Sequence, residues 1–183
     1  MIFPIGRQEK IMFEKVRRLV PQKKIEKQEL IQFVLNKVEH RWIKEENYIM
    51  AHMTDFMERL PMRVLTDLFI AKDTIFATSS GRYACAVSSL EQNVIIIFPE
   101  VYNLLTKTFD GWAKSVLAHE VGHIFLGHTK TMDDPMEAQV DADHFACDMG
   151  YLDQLESFLH EQTESIEKRV RLTFLSKYYF SNS

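Results

Sequence analysis

A chain of 183 residues with a formal net charge of −4 is long enough for one domain with its own core, and predicts no general affinity for nucleic acid. Nearly half of the residues are apolar and about a quarter charged, which excludes collagen-like and disordered classes. The apolar run "VIIIF" falls far short of the roughly 20 residues that cross a bilayer, and the opening "MIFPIGRQEKIMFEKVRR", charged from position 7 onward, does not read as a signal peptide. The expectation is an intracellular, cytoplasmic protein whose two cysteines, Cys85 and Cys147, are reduced.

Charge is unevenly distributed. Residues 1–24 carry seven Lys/Arg against two Glu, while 131–167 carry eleven Asp/Glu and no Lys or Arg. The basic arm lacks interleaved aromatics or a Gly-rich pattern and reads as a solvated face, not a nucleic-acid interface.

No Gly/Ser/Pro-rich linker divides the chain, so one domain is expected over 1–183. Within it, 1–60 form a helical extension, 63–150 the core carrying the chemistry, and 151–183 carboxyl-terminal helices. Residues 8–20 show helical spacing closed by Pro21, and 24–60 continue as one or two amphipathic helices ending at Pro61. The methionines at 50, 53, 57 and 62 read as core filler. "DTIFATSS", "RYACAVSS" and "NVIIIFP" predict three strands of a small antiparallel or mixed sheet. Asp110 is the expected N-cap of a helix running to about Gly127, and Asp134-Pro135 opens another that ends at Gly150. The fold class is α+β: amino-terminal helices, a three-stranded sheet, then two helices bearing polar residues.

The chemistry concentrates in "LAHEVGHIFLGHTK". His119 and His123 lie one helical turn apart, so both imidazoles face the same way and suit a divalent metal. Glu120, beside the first of them, is placed to act as general base on a metal-activated water. Ala118 and Gly122 leave room for another element close beside the histidines. His128 does not match the pattern that puts a third ligand histidine six residues beyond the second, and reads as a loop residue or a partner behind the ligands. His144 and Cys147 read as surface and packing residues. The third ligand is sought in "MEAQVDADHFA", where Glu137 and Asp141 are four apart. The glutamate would bind the metal and the aspartate would accept the far N–H of a ligand histidine.

"SVLAHEVGHIFLGH" together with "EAQVDADHFACDMGY" resembles the gluzincin zinc metallopeptidases, most of all the soluble minigluzincins, with the ImmA/IrrE-like proteases second. The resemblance covers roughly residues 63–150. It implies a zincin-like fold, a Zn2+ cofactor, a peptide or protein substrate, and a strand around Val94–Phe98 that rims the cleft and pairs with substrate. In those families the ligand glutamate lies four residues before the Asp of an "AD" pair followed by "xFA". Here that Asp is Asp143, and Gln139 stands four residues earlier. A two-residue shift gives Glu137 as ligand and Asp141 as its orienting partner, the preferred assignment because it keeps both residue types. Direct coordination by Asp141 or Asp143 is the alternative. Such families also place a downstream residue at the oxyanion, and Tyr151, His160, Arg169 and Arg171 are the candidates. A catalytically inactive, metal-stabilised regulatory or protein-binding module is the rival expectation, motivated by Gln139.

Overall fold

The computed structural model describes residues 26–79, 84–88, 92–128 and 134–182. The helix expected over 8–20 and the basic arm 1–24 lie outside them. Among the described residues no helix is long and apolar enough to cross a membrane.

The stretch expected as one or two helices folds in three pieces. Helix α1 (Lys27–Leu35) buries Leu30, Ile31, Val34 and Leu35, a 3-10 segment (Val38–Lys44) buries His40 and Ile43, and α2 (Asn47–Arg59) buries Ile49, Met53, Phe56 and Met57. The three- and four-residue spacing of these apolar side chains turns one face of each helix to the core. Met53 and Met57 are fully buried, whereas Met62 is exposed. Beyond Pro61 the chain stays helical. A single turn, α3 (Met62–Val64), runs into a π-helical stretch, Leu65–Ala71, that buries Leu65, Leu68 and Phe69.

The sheet has three strands: β1 (Ile75–Thr78), β2 (Ala84–Ser88) and β3 (Asn93–Ile97), in the order β1-β3-β2. It is mixed, with β3 parallel to β1 and antiparallel to β2. Along β3, Asn93, Ile95 and Ile97 are buried and alternate with half-buried neighbours, the period-two signature of a strand with one face on the core. Among the described strands β3 is therefore the central one and β2 an edge.

Five helices follow: α4 (Pro99–Leu105), α5 (Ala113–Leu126), α6 (Pro135–Asp148), α7 (Leu152–Glu161) and α8 (Ile166–Asn182). The fold is α+β, and one hydrophobic cluster runs from Leu30 to Leu175. α5 is its axis, buried on nearly every side. At Gly122 the backbones of α5 and α6 approach so closely that a Cβ there would lie 3.2 Å from Ala142 Cα and from Phe145 Cβ. Asp134 caps α6 as expected, accepting from the N–H groups of Met136 (2.8 Å) and Glu137 (3.3 Å). Asp110 does not cap α5. Its buried carboxylate instead lies 3.8 Å from His52 and 3.6 Å from Lys114, tying the start of α5 to α2.

His40 joins the amino-terminal helices to the sheet. One ring nitrogen lies 2.8 Å from the Val34 carbonyl, and the other accepts the Phe76 N–H at 2.9 Å. Burial lowers its pKa below 6.5, against the raising effect of the Val34 carbonyl, and the charges of Lys37, Glu39 and Asp73 act more weakly. The folded chain keeps His40 neutral where the unfolded chain begins to protonate it, so its contribution to stability falls as pH drops below about 6.5. His40→Ala should cost about 2–5 kcal/mol at pH 7, the penalty for two unpaired buried backbone groups. In urea titrations the gap between variant and parent should narrow from pH 7 to pH 5; a constant gap would contradict this account.

Candidate metal and catalytic site

α5 brings His119, Glu120 and His123 to one wall of a cavity of about 380 Å3. Ala84, Cys85 and Ala86 of strand β2 and Leu155 and Phe158 of α7 also line it. Gln139, His128 and Arg171 complete the polar lining.

The two imidazoles converge. His119 Nε2 and His123 Nε2 lie 3.0 Å apart, and Gln139 Oε1 lies 3.1 Å from His119 Nε2. Behind His119, Nδ1 is 2.8 Å from Asp143 Oδ1. That contact puts the ring hydrogen on Nδ1 and leaves the Nε2 lone pair directed into the cavity. Asp143 is fully buried and receives both Nε (2.8 Å) and Nη2 (2.7 Å) of Arg171. Burial alone would raise its pKa, but the hydrogen bonds and charges of His119 and Arg171 outweigh that and hold the carboxyl below its ordinary range.

Glu120 moves the other way. Burial raises its pKa, opposed by the neighbouring His119 and Arg171 and by a backbone hydrogen bond with Ala86. His123 is pushed down to about 3, first by burial and then by its neighbours His119, His128 and Arg171, so it is neutral at physiological pH.

Glu137, expected as the third ligand, does not reach the cavity that His119 and His123 line. It is exposed, and Asp141 is half exposed, 3.7 Å from His128. The donor beside His119 is Gln139, and the carboxylate that orients His119 is Asp143. The reason is helical phase. A shift of two residues turns a helix through about 200°, so Glu137/Asp141 and Gln139/Asp143 point to opposite sides of α6. The face packed on α5 is marked by Ala138, Ala142 and Ala146, small residues four apart that admit the close approach at Gly122. That stripe was readable in the sequence and leans toward Gln139/Asp143, and its packing against α5 settles the phase. Asp143 does not converge on the cavity as a ligand, because both of its oxygens are taken up by Arg171 and His119.

Among the candidates for an oxyanion partner, Arg171 alone lines the cavity. Tyr151 is buried in the core against Phe56 and Arg59, and its hydroxyl has no hydrogen-bond partner among the described residues. His160 and Arg169 are surface residues paired with Glu156 and Glu164. His144 is exposed beside Phe174 and Tyr178, and Cys147 is a buried core thiol. β3, expected to pair with substrate, is occupied on both sides, which leaves β2 as the strand with an edge at the cavity.

The donor set suits a small divalent cation in spacing and departs from the usual one in charge. Tetrahedral ligands on zinc are separated by about 3.3 Å, given bond lengths of ~2.0–2.2 Å, and the donors here stand 3.0 and 3.1 Å apart. His119 Nε2, bare if the ring hydrogen faces Asp143, meets the Gln139 side-chain amide at 3.1 Å, where the amide can donate to it or share a cation with it. The third donor is a neutral amide, and among the described residues no group of three or more His, Cys, Asp or Glu side chains is arranged to hold a metal.

Arg171→Met should leave the Asp143 charge buried and unpaired, at a cost of about 3–5 kcal/mol in chemical denaturation. Adding Asp143→Asn to it should recover more than half of that loss, as a double-mutant cycle would reveal. Additive losses would mean that the pair is not energetically coupled.

No family model, curated protein or solved structure matches this chain.

Proposed function

We propose that this chain is a zinc-dependent endopeptidase of the gluzincin kind, with a zincin-like arrangement of sheet edge and paired helices. The observation that carries the reading is the convergence of His119 Nε2, His123 Nε2 and Gln139 Oε1 next to Glu120 in one cavity. His119, His123 and Gln139 hold the metal, with Gln139 in place of the usual glutamate. A bound zinc ion supplies Lewis acidity to a peptide carbonyl and to the attacking water.

The chain's own groups do the remaining work. Asp143, anchored by Arg171, holds the His119 ring in the orientation and tautomer that aim Nε2 into the cavity. Glu120 takes the proton of the attacking water and returns it to the departing amine. Its raised pKa favours that double role, since a stronger base takes the water's proton more readily and the protonated carboxyl persists nearer neutral pH to serve as the acid. An extended peptide added along β2 lies beside Glu120, whose carboxylate already meets the Ala86 backbone. Leu155, Phe158 and Val116 offer that peptide an apolar surface.

A second reading has one observation in its favour. With its amide turned over, Gln139 would donate to His119 Nε2 and satisfy that lone pair without any cation. The chain would then be a protein-binding or regulatory module on a peptidase scaffold. Metal content of protein purified without added zinc separates the two: about one zinc per chain supports the peptidase, and a value well below one supports the module.

Glu120→Gln should lower peptide hydrolysis by at least about 100-fold, the scale of a lost general base, while zinc content and thermal midpoint stay at parental values. Unchanged activity would sink the assignment. Gln139→Glu should strengthen zinc binding at least about tenfold, or ~1.4 kcal/mol, in chelator competition, because an anionic oxygen replaces a neutral one. Equal affinity would remove Gln139 from the metal.

A further inference from the structure

The second zinc histidine has its own support behind it. α5 ends in a Schellman turn, in which Gly127 takes the left-handed conformation (φ 83°), its N–H bonds the Ile124 carbonyl (3.2 Å) and the His128 N–H bonds the His123 carbonyl (2.8 Å). An L residue with a side chain is strained at that φ, so the glycine is what allows the chain to fold back within one turn of His123. The fold-back carries the His128 imidazole against the rear of His123, Nδ1 to Nδ1 at 3.2 Å, with the rings edge to face. On its far side His128 Nε2 lies 3.7 Å from Asp141 Oδ2, and the side chain is 9 % exposed.

Two imidazoles meeting nitrogen to nitrogen need one hydrogen between them. His123 must keep Nε2 bare if that atom is to be a metal donor, so its hydrogen belongs on Nδ1. His128 then accepts it on Nδ1 and carries its own hydrogen on Nε2, toward the Asp141 carboxylate. This matches what Asp143 and Arg171 do for His119: an acceptor behind the ligand ring, itself held by a charged group on another element.

We propose that His128 is a positioning residue for His123, accepting its Nδ1 hydrogen and, backed by Asp141, fixing the direction of its Nε2 lone pair. The proposal rests on the metal-centre reading above. His128 touches neither substrate nor metal in this role. It also gives a place to Asp141, the aspartate at first expected to orient a ligand histidine: it serves the second histidine, at one remove.

The test uses the full chain labelled with 15N at histidine. Long-range 1H–15N correlations on the zinc-loaded chain should place the His128 hydrogen on Nε2, with Nδ1 bare. His128→Phe, which keeps a ring without an acceptor, should weaken zinc binding by about 10–100-fold in chelator competition, the usual effect of losing a group that orients a ligand. His128→Asn puts an amide oxygen where Nδ1 stood and should stay within about threefold of the parent. His128→Gln places its amide too far along and should behave like the phenylalanine variant. If His128→Phe fails to fold, as judged by circular dichroism, the Asn and Gln variants decide the matter between them. Parental affinity in the Phe or Gln variant, or a hydrogen on His128 Nδ1, overturns the proposal. A parent chain that takes up no zinc brings down the metal-centre reading. That outcome takes this proposal down with it, whereas zinc bound at parental affinity by the Phe or Gln variant overturns the proposal alone.

Discussion

The Asp143 carboxylate, with no exposure to solvent, binds three helices into one site. It sits on α6, receives two hydrogen bonds from Arg171 of α8, and meets the His119 ring of α5. A charge in that position costs several kcal/mol in lost hydration, and only well-formed charge-assisted contacts offset it. All three helices must therefore be docked before the carboxylate is stable. The constraint makes α8 part of the site, although the chain that forms it lies some 50 positions after His119 and beyond the segment that carries the motif. Gly122 is the other half of the same arrangement. Without a side chain there, α6 comes near enough for a carboxylate as short as aspartate to reach the ring.

The parts that were legible in the sequence are those set by local spacing. Two histidines four apart share a helix face whatever surrounds the helix, and α5 does present both with Glu120 in one cavity. The three strands were visible from β-branched runs, and Asp134-Pro135 marked the start of α6. What local spacing could not supply was phase. Glu137/Asp141 and Gln139/Asp143 have the same i, i+4 spacing and nearly the same residue types, and only packing against α5 decides which pair turns inward. The choice by residue type favoured glutamate over glutamine; the alanines at 138, 142 and 146 point the other way. Arg171 was one of four candidates that the sequence could not separate, since its partner stands 28 positions earlier and no periodicity links the two.

Strand order was hidden for a similar reason. "NVIIIF" is the most apolar strand segment and for that very reason occupies the centre of the sheet, paired on both edges. A strand that is to receive a peptide needs a free edge and tolerates fewer large apolar side chains. β2, with alanines at 84 and 86 and Cys85 between them, has that composition, and it is the strand that faces the histidines. The helical stretch from Met62 to Ala71 escaped notice because its start follows directly on Pro61, which reads equally well as the end of one helix or the beginning of the next.

Charge balance distinguishes this cavity from one finished by a glutamate ligand. Asp143 and Arg171 largely cancel each other as a buried pair, and His123 is neutral. Of the described residues that line the cavity, Glu120 is the one carboxylate. A divalent ion held by His119, His123 and the Gln139 amide, as proposed, would therefore meet a single negative side chain among the described residues, and that side chain is also the proposed base. The two roles pull against each other: the stronger the attraction of Glu120 to the ion, the weaker it is as a proton acceptor. Burial and the Ala86 backbone contact bear on the same balance, the first raising the Glu120 pKa and the second lowering it. A glutamate at position 139 would relieve Glu120 of the counter-charge and leave it to proton transfer alone. With a metal bound as proposed, the glutamine would tie metal affinity and proton transfer to one residue, Glu120, in a way that a glutamate ligand would not.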